Sequence, residues 1–230
     1  MQSKEDTYWS PWSKSTPLRD EEKLIKHGVV SHYRLGDVIF QQGDPCSDSL
    51  FYLYAGRVVI HTVGITGEQK THHILEKGAL IGEASFFVQN VHIAAAIARE
   101  NCTVVKLSKQ VLRKLFLEDR DLPFNLMLML SRKIYQLASQ VDDLSYLTID
   151  QRLVRLLLKF AEDFGQDEEE GIMLPESITD EDLGKLVGAR RETVSRVLSS
   201  LRDAGIVSKV RRKFYVRDLS ALRDYLNRNC

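Results

Sequence analysis

The sequence predicts an α+β chain in three parts: an antiparallel β jelly roll, a long dimerisation helix, and a winged helix-turn-helix at the carboxyl end. Three observations predict it. The amino-terminal half breaks into short apolar segments separated by glycine turns. Met127, Leu130, Ile134, Leu137, Val141 and Leu144 then recur at steps of three and four, the period of a helix seam. Finally, Thr179 to Leu201 spells two short helices around Gly188, with two β-rich runs behind them. The expected segments are 1–120 for the sensing roll, 121–147 for the dimerisation helix and 148–230 for the winged module.

In the roll the strand candidates are Val38-Ile39-Phe40, Leu50 to Tyr54, Val58 to Val63, His73-Ile74-Leu75 and Thr103 to Leu107. Gly36-Asp37, Gly43-Asp44-Pro45, Gly64 to Gly67 and Lys77-Gly78 fall where tight turns are needed, because glycine accepts positive φ at little cost.

In the long helix, Ile134 and Val141 at a-like positions with Leu130, Leu137 and Leu144 at d-like positions favour a parallel two-stranded coiled coil. The alternative is a single amphipathic helix packed only on its own roll, which shares this period. Thr148 to Asp150 then reads as a hinge. An amphipathic helix through Arg152, Val154, Leu157, Leu158 and Phe160 follows, and Asp167 to Glu170 reads as an acidic loop.

Thr179 is placed to cap the next helix, with Asp180, Glu181 and Asp182 in its first turn and Leu183, Leu186 and Val187 as its apolar stripe. Beyond Gly188, the residues Val194, Val197, Leu198 and Leu201 face a core. Arg191, Glu192, Ser195 and Arg196 are left together on the opposite face. That face suits base edges in a major groove: arginine bonds bidentately to guanine, and glutamate accepts from the cytosine amino group. The plainer alternative is an ordinary Glu192–Arg196 ion pair four residues apart. After Gly205, Ile206 to Val210 and Lys213 to Val216 read as a hairpin with Arg211 and Arg212 near its tip. Charge agrees with DNA binding, since from Gly184 to Arg217 ten cations, Arg190 among them, face two carboxylates, a surplus of eight.

Composition excludes several function classes. The chain has 230 residues, 43% of them hydrophobic, and no formal net charge, which suits two domains with their own cores. No apolar run approaches the roughly 20 residues that span a bilayer, and the polar amino terminus around Trp9-Ser10-Pro11-Trp12 lacks a signal-peptide core. A cytoplasmic protein without a membrane partner is expected. Cys46, Cys102 and Cys230 are too scattered for zinc or iron–sulfur ligation and lack the even count of a disulfide framework, so they read as free thiols and no metal site is expected. No phosphate-loop lysine motif or nucleophile elbow occurs, so the chain does not read as an enzyme.

The order of parts resembles the CRP/FNR family of bacterial transcription regulators over nearly the whole chain. Leu35-Gly36-Asp37-Val38-Ile39-Phe40-Gln41-Gln42-Gly43-Asp44 through Leu53-Tyr54-Ala55-Gly56-Arg57-Val58 is similar to the barrel signature of that cyclic-nucleotide-binding-like roll. Gly82-Glu83 is similar to the start of its phosphate cassette, and Gly188 to Arg196 to its recognition helix. The resemblance implies base reading by Arg191, Glu192 and Arg196, help from Ser195 and Thr179, and palindromic DNA with half-sites resembling TGTGA. It also implies a homodimer and RNA polymerase as a partner.

The departures concern the ligand. Family members that bind cAMP carry an arginine and a serine where this chain has Ile93 and Ala94, and a polar Thr-Ser pair where it has Leu137-Ala138. A desolvated phosphate without a cation costs on the order of several kcal/mol, so an effector other than cAMP is expected. The amino terminus lacks the cysteine cluster of the oxygen-sensing branch, so no iron–sulfur cluster is expected. The effector set comprises Gly82, Glu83, Ile93, Ala94, Lys133, Leu137 and Ala138. Lys133 resembles a helix lysine in the branch that senses halogenated phenolic acids, which suggests an aromatic acid; the alternative is a solvated lysine flanking the seam. Other routes stay open. His72 and His73 are either haem ligands, as a histidine is in the carbon-monoxide-sensing branch, or surface residues; Cys102 is either a redox thiol or a structural cysteine. Constitutive DNA binding, with the roll serving only to dimerise, and a cyclic-nucleotide module regulating an enzyme are the rival classes; the reading helix disfavours the second.

Overall fold

The computed structural model describes residues 12–13, 21–46, 48–88, 91–174, 178–211 and 213–228, and these fall into two compact units that divide between Ile134 and Tyr135. In chain order the first unit contains β1 (Trp12–Ser13), α1 (Glu21–His27), β2 (Val29–Tyr33), β3 (Val38–Phe40), β4 (Ser49–Ala55), β5 (Val58–Val63) and β6 (Gln69–Leu75). It continues with β7 (Leu80–Ile81), α2 (Glu83–Val88), β8 (Ala95–Ala98), β9 (Cys102–Ser108) and α3 (Lys109–Glu118), and α4 (Asp121–Tyr146) runs from this unit into the next. One sheet has the order β1-β6-β5-β8-β3 and the other β2-β9-β4-β7. All pairings are antiparallel except the two-residue contact of β1 with β6.

Strand alternation builds the core. In β4, Phe51 and Leu53 point one way and join Val58, Leu75, Ala96, Ala98 and Val104 between the two sheets. Leu50 and Tyr52 point the other way and pack with Leu24, Leu112, Leu115, Leu122 and Leu126 under the helices. β4 is therefore buried on both faces, which is why its sequence is a continuous apolar run rather than an alternating one. The turns use glycine as expected, with positive φ at Gly36, Gly43, Gly67 and Gly78.

The second unit contains the rest of α4, then α5 (Ile149–Phe164), β10 (Gln166–Glu168), β11 (Gly171–Met173), α6 (Asp180–Val187), α7 (Arg191–Asp203), β12 (Val207–Val210), β13 (Lys213–Val216) and α8 (Leu219–Arg228). Two local expectations are corrected here. The hinge expected at Thr148 to Asp150 is shorter, because Thr148 is the N-cap of α5 and Asp150 already lies in its first turn. Only Leu147 and Thr148 separate α4 from α5. The acidic loop from Asp167 to Glu170 is instead a hairpin: β10 pairs with β11, and β11 with β13, in a sheet of order β10-β11-β13-β12. Beyond the expected hairpin, which ends at Val216, the chain forms a further helix, α8, packed on α5.

Along α4 the seam residues Met127, Ile134, Leu137, Val141 and Leu144 are exposed in the single chain, and Leu130 is half-buried.

Candidate nucleic-acid interface and effector site

The reading face starts at a cap. The Thr179 hydroxyl accepts from the Asp182 N–H at 3.1 Å and donates to the Asp182 carboxylate at 2.7 Å, and that carboxylate accepts in return from the Thr179 N–H at 3.0 Å. Thr179, expected at the DNA, thus already spends its hydroxyl proton within its own cap. Gly188 ends α6 in the left-handed region at φ 69° and ψ 46°. Beside it, a Cβ on Gly184 would stand 2.7 Å from the carbonyl oxygen of Ala189, so the turn closes on bare backbone.

α7 buries Val194, Val197, Leu198 and Leu201. Arg190, Arg191, Glu192 and Arg196 are exposed and Ser195 is half-buried, so the expected polar face is formed. Among the described residues no salt bridge joins Glu192 to Arg196. The wing is β12 and β13, with Lys209 opposite Phe214 and Val210 opposite Lys213. Arg211 sits exposed at the tip with φ 47°, Lys213 is half-buried, and Arg212 lies outside the described residues.

Of the cations in the basic surplus, Lys209 and Lys185 are held by carboxylates. Lys209 Nζ lies 3.1 Å from the Asp180 carboxylate and 4.2 Å from the Phe214 ring centroid. Lys185 lies 2.8 Å from Glu181. Both carboxylates stand just before Gly184, where the count begins, so the local field is less positive than the surplus of eight implies.

In the roll, the structure brings Gly82, Glu83 and Lys133 together. Lys133 Nζ donates to the Glu83 carboxylate and to the Leu80 carbonyl oxygen, each at 2.8 Å, and 16% of each of the two charged side chains is exposed. The solvated lysine is thereby corrected: Lys133 is an ion-paired residue pinning α4 to the start of α2. Gly82 has φ 77°, and a Cβ there would stand 3.3–3.5 Å from Phe40, His92 and Phe51. The His92 ring stacks on Phe40 at 3.7 Å between centroids, almost parallel at 10°. Ala94 is buried, whereas Ile93 is 65% exposed, and Leu137 and Ala138 are exposed in the single chain.

The two neighbouring histidines part, as strand alternation requires. His72 is half-buried, with Nε2 2.9 Å from the Thr62 hydroxyl. His73 is not a surface residue: it shares the inward face of β6 with Thr71 and Leu75 and is only 6% exposed. Its Nδ1 has no hydrogen-bond partner, and burial, reinforced by the charge on Lys133, pulls its pKa down to about 3. The signal was in the sequence, because His73 is two residues from Leu75 in a strand. His92 is likewise buried with an unpartnered Nδ1, and burial lowers its pKa.

Cys102 is buried, its thiol donating to the carbonyl oxygens of Arg57 and Glu100 at 3.1 and 3.2 Å, and burial pushes its pKa up. A raised thiol pKa suppresses the thiolate, which favours the structural role. Cys230 lies outside the described residues. Among the described residues no group of three or more His, Cys, Asp or Glu side chains is arranged for a metal ion, and no helix is long and apolar enough to cross a membrane.

Residues 30–119 match the cyclic nucleotide-binding domain family, and residues 151–225 match the Crp-like helix-turn-helix domain family. The chain is 27% identical over 198 residues to the cAMP-activated global transcriptional regulator CRP of Pasteurella multocida, covering 84% of this chain and 93% of that one. A solved structure of a CooA mutant from Carboxydothermus hydrogenoformans is similar with a TM-score of 0.79 at 20% identity, covering 93% of this chain and 97% of that one. OCPA-complexed CprK is similar with a TM-score of 0.75 at 22% identity, covering 91% and 94%. The likeness to these structures is one of fold.

An effector-binding β-roll followed by a Crp-like helix-turn-helix defines a DNA-binding transcription regulator rather than an enzyme. The chain belongs to the CRP/FNR family of transcription regulators, whose members bind DNA and act as dimers.

Proposed function

We propose that this chain is a homodimeric regulator, with RNA polymerase as a partner, that reads palindromic promoter DNA with TGTGA-like half-sites and responds to a small effector other than cAMP. Arg191, Glu192 and Arg196 read base edges, Ser195 assists, and Arg190, Arg211, Arg212 and Lys213 hold phosphates. Met127, Leu130, Ile134, Leu137, Val141 and Leu144 form the dimer seam; the exposure of all but Leu130 in the single chain supports this.

The observation that carries the effector reading is the state of Lys133, the cation bonded to Glu83 at the start of the cassette. Ile93 and Ala94 supply no positive charge, and Lys133 is already neutralised by Glu83 at 2.8 Å. From these three residues a cyclic phosphate would gain no free counter-charge, and it would face the carboxylate of Glu83, a cost on the order of several kcal/mol. A planar aromatic acid suits the site better. Its carboxylate faces the same competition with Glu83 for Lys133, but its ring packs on apolar side chains such as Ile93 and Ala94, which offer no partner to a ribose or phosphate, and the unpartnered Nδ1 of His73 offers a further polar contact. Effector binding shifts a two-state dimer only by its differential affinity for the two arrangements.

Isothermal titration with cAMP and with phenylacetate and its hydroxylated relatives tests the reading. Saturation by an aromatic acid, lost in Lys133→Ala, is the expected result. Saturable, tight binding of cAMP overturns the argument from Ile93 and Ala94. Palindrome binding that is equally strong in purified protein with and without cell extract makes the chain a constitutive binder instead, and a Soret band in the purified protein makes it a haem sensor.

A further inference from the structure

α4 ends at Tyr146 and α5 begins at Ile149, with only Leu147 and Thr148 between them. The break is tied locally by backbone and cap: the Leu147 N–H donates to the Asp143 carbonyl oxygen at 3.1 Å, and Thr148 and Gln151 cap α5 reciprocally at 2.9 and 3.3 Å. Those bonds satisfy the helix ends but leave the angle between the two axes to rotations at Leu147 and Thr148.

A side-chain pair spans the break. The Asp143 carboxylate, in the last turns of α4, accepts from Arg155 Nη1, in the second turn of α5. Only 9% of the Asp143 side chain and 22% of the Arg155 side chain is exposed. Arg152, one turn before Arg155, places a second positive charge near the same carboxylate, and Asp142 is the neighbouring like charge. Val141 and Leu144, on the same stretch of α4 but another face, are exposed and belong to the seam. α5 in turn buries Leu153, Val154, Leu156 and Leu157 and packs on α6 and α7. One short stretch of helix therefore bears the dimer seam on one face and, on another, a buried ionic link to the helix that carries the reader.

We propose that Asp143 is a positioning residue: bound to Arg155 across the Leu147–Thr148 break, it fixes the angle between α4 and α5 and thereby the half-site spacing that the two reading helices accept. This rests on the dimeric, palindrome-reading function proposed above. A buried pair is suited to the task because it holds one geometry; once one partner is neutralised, the other charge must find water, and the joint swivels to supply it. Bases are still read, since no group of α7 is altered.

The test uses the full chain and a palindrome selected by the wild-type protein from random duplexes. Its centre is lengthened or shortened by one base pair, and the isolated half-site serves as reference. One added base pair rotates a half-site by roughly 34°, so the wild-type protein is expected to lose about tenfold or more in affinity. Asp143→Asn is expected to discriminate less than about threefold among the spacings while matching wild type on the half-site. The charge swap Asp143→Arg with Arg155→Asp is expected to restore discrimination. Should Asp143→Asn fail to fold, judged by circular dichroism, Arg155→Gln removes the other half of the pair and carries the same expectation. Retention of the wild-type spacing preference by a folded variant overturns the positioning role. Indifference of the wild-type protein to spacing overturns the palindrome reading itself, and the positioning role with it.

Discussion

Lys133 and Glu83 are joined at 2.8 Å although 50 residues separate them, and each exposes only 16% of its side chain. A mostly buried pair of this kind is costly to halve and cheap to delete, because a lone desolvated charge is what the fold cannot tolerate. Lys133→Met or Glu83→Gln alone is therefore expected to lower the unfolding free energy by about 1–3 kcal/mol, and the double variant by less than the worse single one. Urea denaturation of the four proteins measures the coupling; additive losses would mean that the pair contributes nothing as a pair.

His73 gives the fold a pH dependence of fixed sign. Its pKa is pulled down to about 3 in the folded chain, while the unfolded chain titrates near the ordinary 6.5. Between those values the unfolded chain binds a proton that the folded one refuses, so the stability present above pH 6.5 is lost as the pH falls through that window. The loss from this one group is about 2 kcal/mol between about pH 7.5 and pH 5. His73→Gln should flatten the profile by that amount in urea melts across this range, whereas an unchanged slope would place the pH dependence elsewhere; His92, also lowered, adds with the same sign.

Local chemistry was legible in the sequence, and long-range pairing was not. Val38–Phe40 and Val58–Val63 are apolar runs bounded by glycine, and both became strands with those limits. β7 is only Leu80–Ile81, and β8, Ala95–Ala98, is built mostly of alanine, which carries little strand preference; neither can be read without its partner strand. The carboxylates of Asp167 to Glu170 read as a loop for the same reason. Their hairpin is held from outside, by Ile172 opposite Val216 and by the Tyr215 hydroxyl donating to Glu168 at 2.9 Å. At the sites, the face of Arg191, Glu192 and Arg196 follows from helical periodicity alone. Lys209–Asp180 and Lys133–Glu83, 29 and 50 residues apart, carry no periodic signal.

Two glycines at the turn between α6 and α7 should differ in what their loss does to DNA binding. Gly188 is strained by any side chain because of its φ of 69°, yet it lies at an exposed position. Gly188→Ala should cost about 1 kcal/mol of stability. Gly184 sits within a helix, where alanine is favoured, but its Cβ would stand 2.7 Å from the Ala189 oxygen and push the start of α7 outward. Gly184→Ala should therefore cost stability, because the obstructing atom is backbone, and also lose about tenfold or more in DNA affinity, since displacing the reading helix by a fraction of an ångström breaks bidentate geometry. Thermal melts beside mobility-shift titrations check both; equal effects of the two variants on affinity would refute the distinction.

Three cations on the winged module should fail in three ways. Arg191 is exposed on the reading face of α7, so Arg191→Ala should cost about 1–3 kcal/mol on the preferred palindrome and relax one base position. Lys213, at the base of the wing tip opposite Val210, is proposed above as a phosphate ligand; on that reading Lys213→Ala should weaken every sequence alike and lower the salt dependence of binding by roughly one ion per wing. Lys209 differs from both. Its ammonium is held 3.1 Å from Asp180 and lies over the Phe214 ring, so it ties the wing to the first turn of α6. A cation already neutralised by a carboxylate releases no counterion on binding DNA, and its removal should leave the salt slope unchanged while affinity falls modestly because the wing is less well held. Affinities measured over a range of salt concentrations, on the palindrome and on a scrambled duplex, separate the three: a lowered slope in Lys209→Ala would make it a phosphate ligand, and a sequence-blind loss in Arg191→Ala would remove it from the base-reading set.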